Sequence, residues 1–319
     1  MYDLPILILT YNRPKHLSKV LFKLKKINPK KIYISCDGPK NNFDKKKILI
    51  IQKKIKLISS KTKVISNFFK INQGIRLAPQ KGITWFFKKE KIGIILEDDC
   101  VPSNFFFKYM RHLLPKYEND KKIFAISGYN PFGKTKFGNG TYFPSNYFLC
   151  WGWGSWRRSW NSSAKKIDYF LYKNTTNNLK AKFENKIEIR YWKKIINLVH
   201  NNLIKTWDIQ FLISAWKNNS YCLLPNVNMI NNIGFDNSGT TSPGLKFKTA
   251  ISVNYNKTIV DPRIMQIDRK NEELIFNKIF SPFCFLYPWR IFYLMKYLLC
   301  TPRLFFTKII TFIYRKLYK

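Results

Sequence analysis

The N-terminal part of the chain alternates short, wholly apolar runs with stretches whose apolar positions recur at helical spacing. Residues 5–10 (PILILT) form an unbroken apolar run of the kind a strand covered on both faces needs. Arg13-Pro14 then opens a helical repeat through Val20, Leu21 and Leu24. Residues 31–37 (KIYISCD) repeat the strand signal, and Gly38-Pro39 turns the chain. A helix is predicted over 45–58, a third strand over 63–67, a helix over 74–87 and a fourth strand over 92–96, closed by Glu97-Asp98-Asp99. Strands alternating with helices predict an α/β fold with a mostly parallel sheet flanked by helices. Ligands of such sheets sit beyond the carboxyl ends of the strands, where Thr10-Tyr11-Asn12-Arg13, Asp37-Gly38 and the acidic triplet all fall.

The second half has a different texture. Residues 103–117 read as helix and 124–127 as strand, after which 129–147 are rich in Gly, Pro and aromatics. Cys150-Trp151-Gly152-Trp153-Gly154-Ser155-Trp156 reads as a loop too heavy in tryptophan to be a linker. Phe183, Ile187, Tyr191, Ile195, Val199 and Leu203 recur every four residues and predict one amphipathic helix, preceded by a polar connection over 174–178. Residues 227–233 read as a late strand and 236–243 (DNSGTTSP) as a mobile loop. From Pro282 onward, Arg290, Lys296, Arg303 and Lys308 interrupt the apolar stretch before it reaches the span a transmembrane helix needs. Lys308, Arg315 and Lys319 share one helical face opposite Ile309, Ile313 and Leu317, with Trp289 as an interfacial anchor. That pattern predicts an amphipathic extension lying on an anionic membrane, with a terminal helix pair packed on the core as the alternative.

Composition narrows the classes. With 319 residues, 45% hydrophobic and 24% charged, the chain is neither disordered nor collagen-like and has length for about two domains. The 57 Lys+Arg against 18 Asp+Glu give a formal net charge of +39. Of these cations 46 are Lys, spread from Lys15 to Lys319 amid abundant Asn, Ile and Phe, as a bias toward A/T-rich codons would produce. Such dispersion argues against a nucleic-acid partner and for anionic ligands or an anionic membrane. Six cysteines stand far apart, with no CxxC and no His at ligand spacing, which excludes a disulfide framework or a zinc site. Met1-Tyr2-Asp3-Leu4 runs into the first strand with no basic leader, so the expected location is cytoplasmic, on the inner face of the cytoplasmic membrane.

Three consecutive acids at the end of an apolar strand repel one another, and a divalent cation offsets that repulsion. Carboxylate oxygens suit Mg²⁺ or Mn²⁺, whose remaining positions go to diphosphate oxygens and water. Thr10-Tyr11-Asn12-Arg13, Cys36-Asp37-Gly38, Asn72-Gln73-Gly74-Ile75-Arg76 and Glu97-Asp98-Asp99, in that order, with Trp-Gly-Trp-Gly and Trp207-Asp208 downstream, resemble a GT-A glycosyltransferase. Within that superfamily the chain is similar to bacterial family 2-like enzymes related to the N-acetylglucosaminyltransferase I group.

The resemblance implies a metal-dependent, inverting transfer of a sugar, GlcNAc being the leading candidate, from a UDP-sugar to a glycan or lipid-linked saccharide. It assigns 1–130 to the nucleotide-sugar half and 131–262 to the acceptor half, while the basic, aromatic pattern makes 263–319 the expected membrane-associating segment. Carried over by position, Thr10, Tyr11, Asn12, Arg13 and Asp37 contact uracil and ribose, and Arg76 lies near the diphosphate or base. Glu97 and Asp98 belong to the donor site, Asp99 ligates the metal, and Trp153-Gly154 flanks the donor sugar. Asp208 is the base for the acceptor hydroxyl, and its place between Trp207 and Ile209 predicts a raised pKa. The same aspartate is alternatively a cap of the helix that follows. One departure stands out: relatives carry a His after the Asn-Ile-Gly-Phe block, whereas here Gly239-Thr240-Thr241-Ser242 follows. Two other readings remain at this stage. A sugar-1-phosphate nucleotidyltransferase is echoed by residues 74–79 (GIRLAP), though after the third strand instead of the first. A non-catalytic sugar- or membrane-binding protein on a degenerate fold would fit the missing His.

Overall fold

The computed structural model describes residues 1–58, 61–164, 175–235, 252 and 258–280. Four parallel strands form its first half: β1 (Ile6–Thr10), β2 (Lys31–Cys36), β3 (Lys63–Phe68) and β4 (Ile92–Glu97). Helices α1 (Pro14–Ile27), α2 (Asn42–Lys56) and α3 (Gly74–Lys89) connect them. Then follow β5 (Cys100–Pro102), α4 (Asn104–Lys116), β6 (Ile123–Ser127), β7 (Tyr142–Ser145), β8 (Trp153–Trp156) and α5 (Arg157–Ser162). The rest comprises α6 (Thr175–Lys182), α7 (Lys186–His200), α8 (Asp208–Lys217), β9 (Tyr221–Pro225), β10 (Ile230–Asn232) and α9 (Arg269–Phe280).

Eight strands make one sheet in the order β3-β2-β1-β4-β8-β6-β9-β7, and β10 pairs with β5 in a short second ribbon. Antiparallel pairing enters only after β4, through β4–β8, β8–β6 and β9–β7. Alternating side chains feed two cores. Ile6, Ile8, Ile32, Ile34, Ile94 and Leu96 pack under α1, α2 and α4. Leu7, Leu9, Tyr33 and Ile95 pack on the other face with Phe86 and Phe87 of α3, and further along with Trp153, Trp192 and Phe211. Both faces are covered, which is why the first strands read as unbroken apolar runs.

The sequence-predicted elements of the first half are all present, α2 starting three residues early because the Asn41 side chain caps it by accepting from Asp44 N–H at 2.9 Å. The second half needs correction. The tryptophan-rich loop is in part β8, a central strand. The single helix expected across 183–203 is α7 alone, because Asn185 caps a new start at Lys186 and Leu203 lies exposed beyond its end. Part of the expected polar connection is helical, in α6. The loop 236–243 and everything from Pro282 onward lie outside the described residues. Among those described, no helix is long and apolar enough to cross a membrane.

Candidate active site

A cleft of about 590 Å³ opens beyond the carboxyl ends of β1, β2 and β4. Its far wall is Cys150, Trp151, Lys205, Thr206, Trp207 and Asp208. The near wall is built from loops that end strands, and each is tied down by a buried carboxylate. Thr10 Oγ1 donates to Asp98 Oδ2 at 2.7 Å, and Tyr11 N–H reaches the same oxygen at 3.3 Å. The Tyr11 hydroxyl and Asn12 Nδ2 donate to the two oxygens of Asp44, at 2.5 and 2.6 Å, and Lys40 N–H adds a third bond at 3.2 Å. Burial alone would raise the Asp44 pKa, but these donors outweigh it and hold the carboxyl below its usual value.

Asp37 holds the neighbouring turn. Its Oδ1 accepts from Gly38 N–H and Gln73 N–H at 2.8 and 2.7 Å, and its Oδ2 from Asn72 Nδ2 and Gly74 N–H at 2.9 and 3.1 Å. A carboxylate just past the end of β2 thus satisfies the first amides of α3, where the helix dipole favours negative charge.

The acidic triplet lies at the cleft floor. Arg13 Nη1 contacts Asp99 Oδ2 at 2.6 Å and stands 4.0 Å from Asp98 Oδ1. Burial, then the Asp99 charge, pushes Asp98 up to about 6 against the pull of Thr10, Arg13 and Tyr11 N–H. Glu97 rises well above the carboxylate range through burial and the charges of Asp99, Asp98 and Asp208. Three carboxylates facing one guanidinium leave negative charge that a divalent cation would balance. Ligand atoms of Glu97, Asp99 and Cys100 lie within 4.8 Å of one another. The Cys100 thiol, kept protonated by burial, donates weakly to Asp99 Oδ1 at 3.6 Å, so the donors suited to Mg²⁺ or Mn²⁺ are the hard oxygens of Glu97 and Asp99. Gly234 closes over this centre: Ile233 N–H donates to Asp99 C=O at 2.9 Å, and a Cβ on Gly234 would run into the Asp99 carboxylate.

Asp208 opens α8 on the opposite wall. Its Oδ1 accepts from the Thr206 hydroxyl and, at 3.0 Å, from Ile209 N–H. Its Oδ2 stands 3.9 Å from Cys150 Sγ, toward the cleft. The helix starts at Asp208 itself, with Trp207 in the cap position and no side-chain cap bond, so the expectation of Asp208 as the cap is not met, while its Oδ2 faces the cleft.

Thr10, Tyr11, Arg13, Asp37, Glu97, Asp98, Asp99 and Asp208 all line this one cleft, with Asn12 behind Tyr11 on Asp44. Three residues of the sequence reading go elsewhere. Arg76 points across to the end of α7, donating to Asn202 Oδ1 at 2.6 Å. Trp153 is a core residue, 1% exposed and stacked on Trp207 at 5.7 Å. Gly154 is small because α4 presses on β8, where a Cβ would meet Leu114 Cδ1 at 2.8 Å. Pairing of β8 with β4 and β6 buries both positions in the middle of the sheet, and the indoles at the cleft are Trp207 and Trp151, the latter edge-on to Phe235 at 5.5 Å. Asp44 was missed because it sits among lysines; the spacing of Asn41 and Asp44, a helix-start pattern, was the available signal.

Comparison with known proteins places this geometry in context. The sequence matches the profile of the GNT-I family over residues 1–169. A search of curated proteins finds no match. Among solved structures, the galactosyltransferase LgtC with donor and acceptor sugar analogs is similar at 8% identity, over 67% of this chain and 70% of that one, with a TM-score of 0.35. The glycosyltransferase GlyE of Streptococcus pneumoniae is similar at 11% identity, over 71% and 55%, with a TM-score of 0.34. HddC from Yersinia pseudotuberculosis is similar at 13% identity, over 50% and 78%, with a TM-score of 0.31.

Proposed function

The chain belongs to the GNT-I family of glycosyltransferases, and on that premise we propose that it is an inverting enzyme moving a sugar, GlcNAc the leading candidate, from a UDP-sugar to a hydroxyl of a glycan or lipid-linked saccharide. The observation that carries the reading is that two separate acidic centres, Glu97 to Asp99 on the floor and Asp208 on the far wall, open into one cleft. The near wall of Thr10, Tyr11 and Asn12, fixed by Asp98 and Asp44, receives the nucleoside. Asp37 acts by locking the Asn72-Gln73-Gly74 turn against it. Arg13 supplies fixed positive charge for the diphosphate. Glu97 and Asp99 would hold a divalent cation, which when bound offsets the charge of the departing diphosphate.

Asp208 does the proton work. Its Oδ1 is engaged by Thr206 and Ile209, which fixes the carboxylate plane and leaves Oδ2, which meets the weak Cys150 S–H donor at 3.9 Å, to take the acceptor hydroxyl proton as that oxygen attacks the anomeric carbon. Trp151 offers a ring face for a sugar. Beyond the described residues, the segment from Pro282 would place the enzyme on an anionic membrane carrying the acceptor. The test is incubation with UDP-GlcNAc, Mn²⁺ and simple saccharide acceptors, with NMR of the product anomeric proton. An inverted linkage supports the proposal. A retained linkage, or a family of UDP-sugars none of which is turned over or bound, overturns it.

A further inference from the structure

Helices α1 and α2 pack side by side on one face of the sheet, and their outward surface is unlike an ordinary solvated helix face. On α2, Phe43, Ile50 and the cap residue Leu57 recur every seven residues, a spacing that drifts only about 20° per repeat and keeps them in one stripe. All three are exposed, Phe43 at 66% and Leu57 at 83%. Lys46 and Lys53 fall within the same stripe, and Lys47 lies over the Phe43 ring at 4.4 Å. On α1, Phe22 is also exposed, with Lys26 over its ring at 4.9 Å. A cavity of about 190 Å³ between the helices is rimmed by Phe22, Lys25, Lys54, Leu57 and Ile58 and joins the two into one surface.

The charge on this surface has one sign. The two helices carry eleven lysines, five in α1 and six in α2, and their one acid, Asp44, is buried and turned inward onto Tyr11 and Asn12. An occupant must therefore be anionic and must also receive exposed phenylalanine, isoleucine and leucine. A second copy of this face, or the basic segment from Pro282, repels it. A nucleic-acid backbone matches the lysines and offers nothing to the aliphatic stripe. A bilayer containing anionic lipid satisfies both, with apolar side chains at the acyl boundary and lysines at the headgroups.

We propose that the α1–α2 face docks this protein on an anionic phospholipid surface through Phe22, Phe43, Ile50 and Leu57, framed by Lys46 and Lys53. The inference goes beyond the transferase reading and stands without it. The N-terminal end of the stripe adjoins the cleft, since Asp44, next to Phe43, braces Tyr11 and Asn12. Docking through this face would thus bring the cleft rim close to the headgroup layer.

The test is sedimentation of the full chain with vesicles of phosphatidylcholine alone and of phosphatidylcholine mixed with phosphatidylglycerol, at low and high salt. Three proteins are compared: the parent, a Lys46→Gln/Lys53→Gln variant and a Phe43→Ser/Ile50→Ser/Leu57→Ser variant. All these positions are on the surface, so melting temperature should hold. The parent should partition to the anionic vesicles. The lysine variant should bind roughly 30-fold more weakly, from the known contribution of each lysine near such a surface. The apolar variant should bind about 10-fold more weakly or worse. Parent-like partition of both variants would assign any membrane affinity to another segment and overturn the proposal. Loss in the lysine variant alone would identify an electrostatic polyanion site and overturn it equally, as would a parent that ignores anionic vesicles.

Discussion

Replacing Asp44 by alanine isolates the part of the cleft that no catalytic residue occupies. The side chain accepts three hydrogen bonds, at 2.5 Å from Tyr11, 2.6 Å from Asn12 and 3.2 Å from Lys40 N–H, and it is buried. Losing it strands three donors, each costing about 1–3 kcal/mol where water does not reach. Tyr11 and Asn12 are half-buried and Lys40 exposed, so partial rehydration brings the sum to about 2–4 kcal/mol. At roughly 2–4 °C per kcal/mol for a chain of this size, the melting temperature should fall by about 5–15 °C. The Tyr11-Asn12 loop would lose its brace, and donor affinity should drop about tenfold or more. Because Asp44 stands away from the reacting atoms, that loss should appear in KM with kcat changed much less. Asp44→Asn should recover part of both losses, since the Asn12 amide can flip and the Tyr11 hydroxyl can accept from the new amide. Scanning calorimetry and steady-state kinetics with varied UDP-sugar read the two effects. An alanine variant with parent melting temperature and parent KM would refute the bracing role.

Other outcomes follow from the same geometry. Trp153→Ala should lower stability by about 3–5 kcal/mol as a core truncation, whereas Trp151→Ala, at a half-buried ring, should cost less stability and weaken sugar binding, both read by thermal melts with and without ligand. Gly234→Ala should weaken Mn²⁺-dependent nucleotide binding in titration calorimetry, because the new methyl displaces the Asp99 carboxylate and Arg13. Glu188 and Glu272 are buried carboxyls pushed up to about 8 and about 7, chiefly by burial. The folded state therefore holds protons that the unfolded state releases above about pH 4.5, and stability should fall as pH rises toward 8. Glu188 Oε1 is buried without a hydrogen-bond partner among the described residues, so Glu188→Gln should flatten that slope and raise the melting temperature at pH 8.

The parallel half of the sheet was legible because β1, β2 and β4 are covered on both faces and so read as largely apolar runs, β3 at the half-exposed edge being marked by its β-branched residues, while α1 and α3 announce themselves by periodicity and Pro14 or Gly74. The carboxyl-end rule places most of the cleft, from Thr10 to Asp99, from the strand pattern alone. Asp208 was legible because an acid beside Trp207 and Ile209 is expensive without a role. What failed was the antiparallel half. β8 is four residues long and nearly all aromatic, glycine or serine, so its alternation carries no apolar–polar contrast, and the sequence could not tell Trp151 from Trp153. Trp151 precedes β8 and Trp153 begins it, so where the strand starts decides which indole reaches the cleft and which the core. Asp44 shows the converse difficulty: in a run of lysines an acid looks like a solvated counter-charge, and only the fold turns it inward onto Tyr11 and Asn12. Asp37, read as a nucleotide contact, has four partners within the protein, information held by the turn after β3 and not by local sequence.

The division of labour across the cleft is tested most directly by measuring, on the same preparations of Asp99→Asn and Asp208→Asn, Mn²⁺-dependent UDP binding by titration calorimetry and sugar transfer by product release. The account predicts that Asp99→Asn abolishes metal-dependent binding with little change in the melting temperature of the free protein. It predicts that Asp208→Asn binds UDP as the parent does while kcat falls about 10²–10⁴-fold, the usual contribution of a positioned base. Undiminished metal-dependent binding by the first variant, or near-parent turnover per folded molecule by the second, would contradict it.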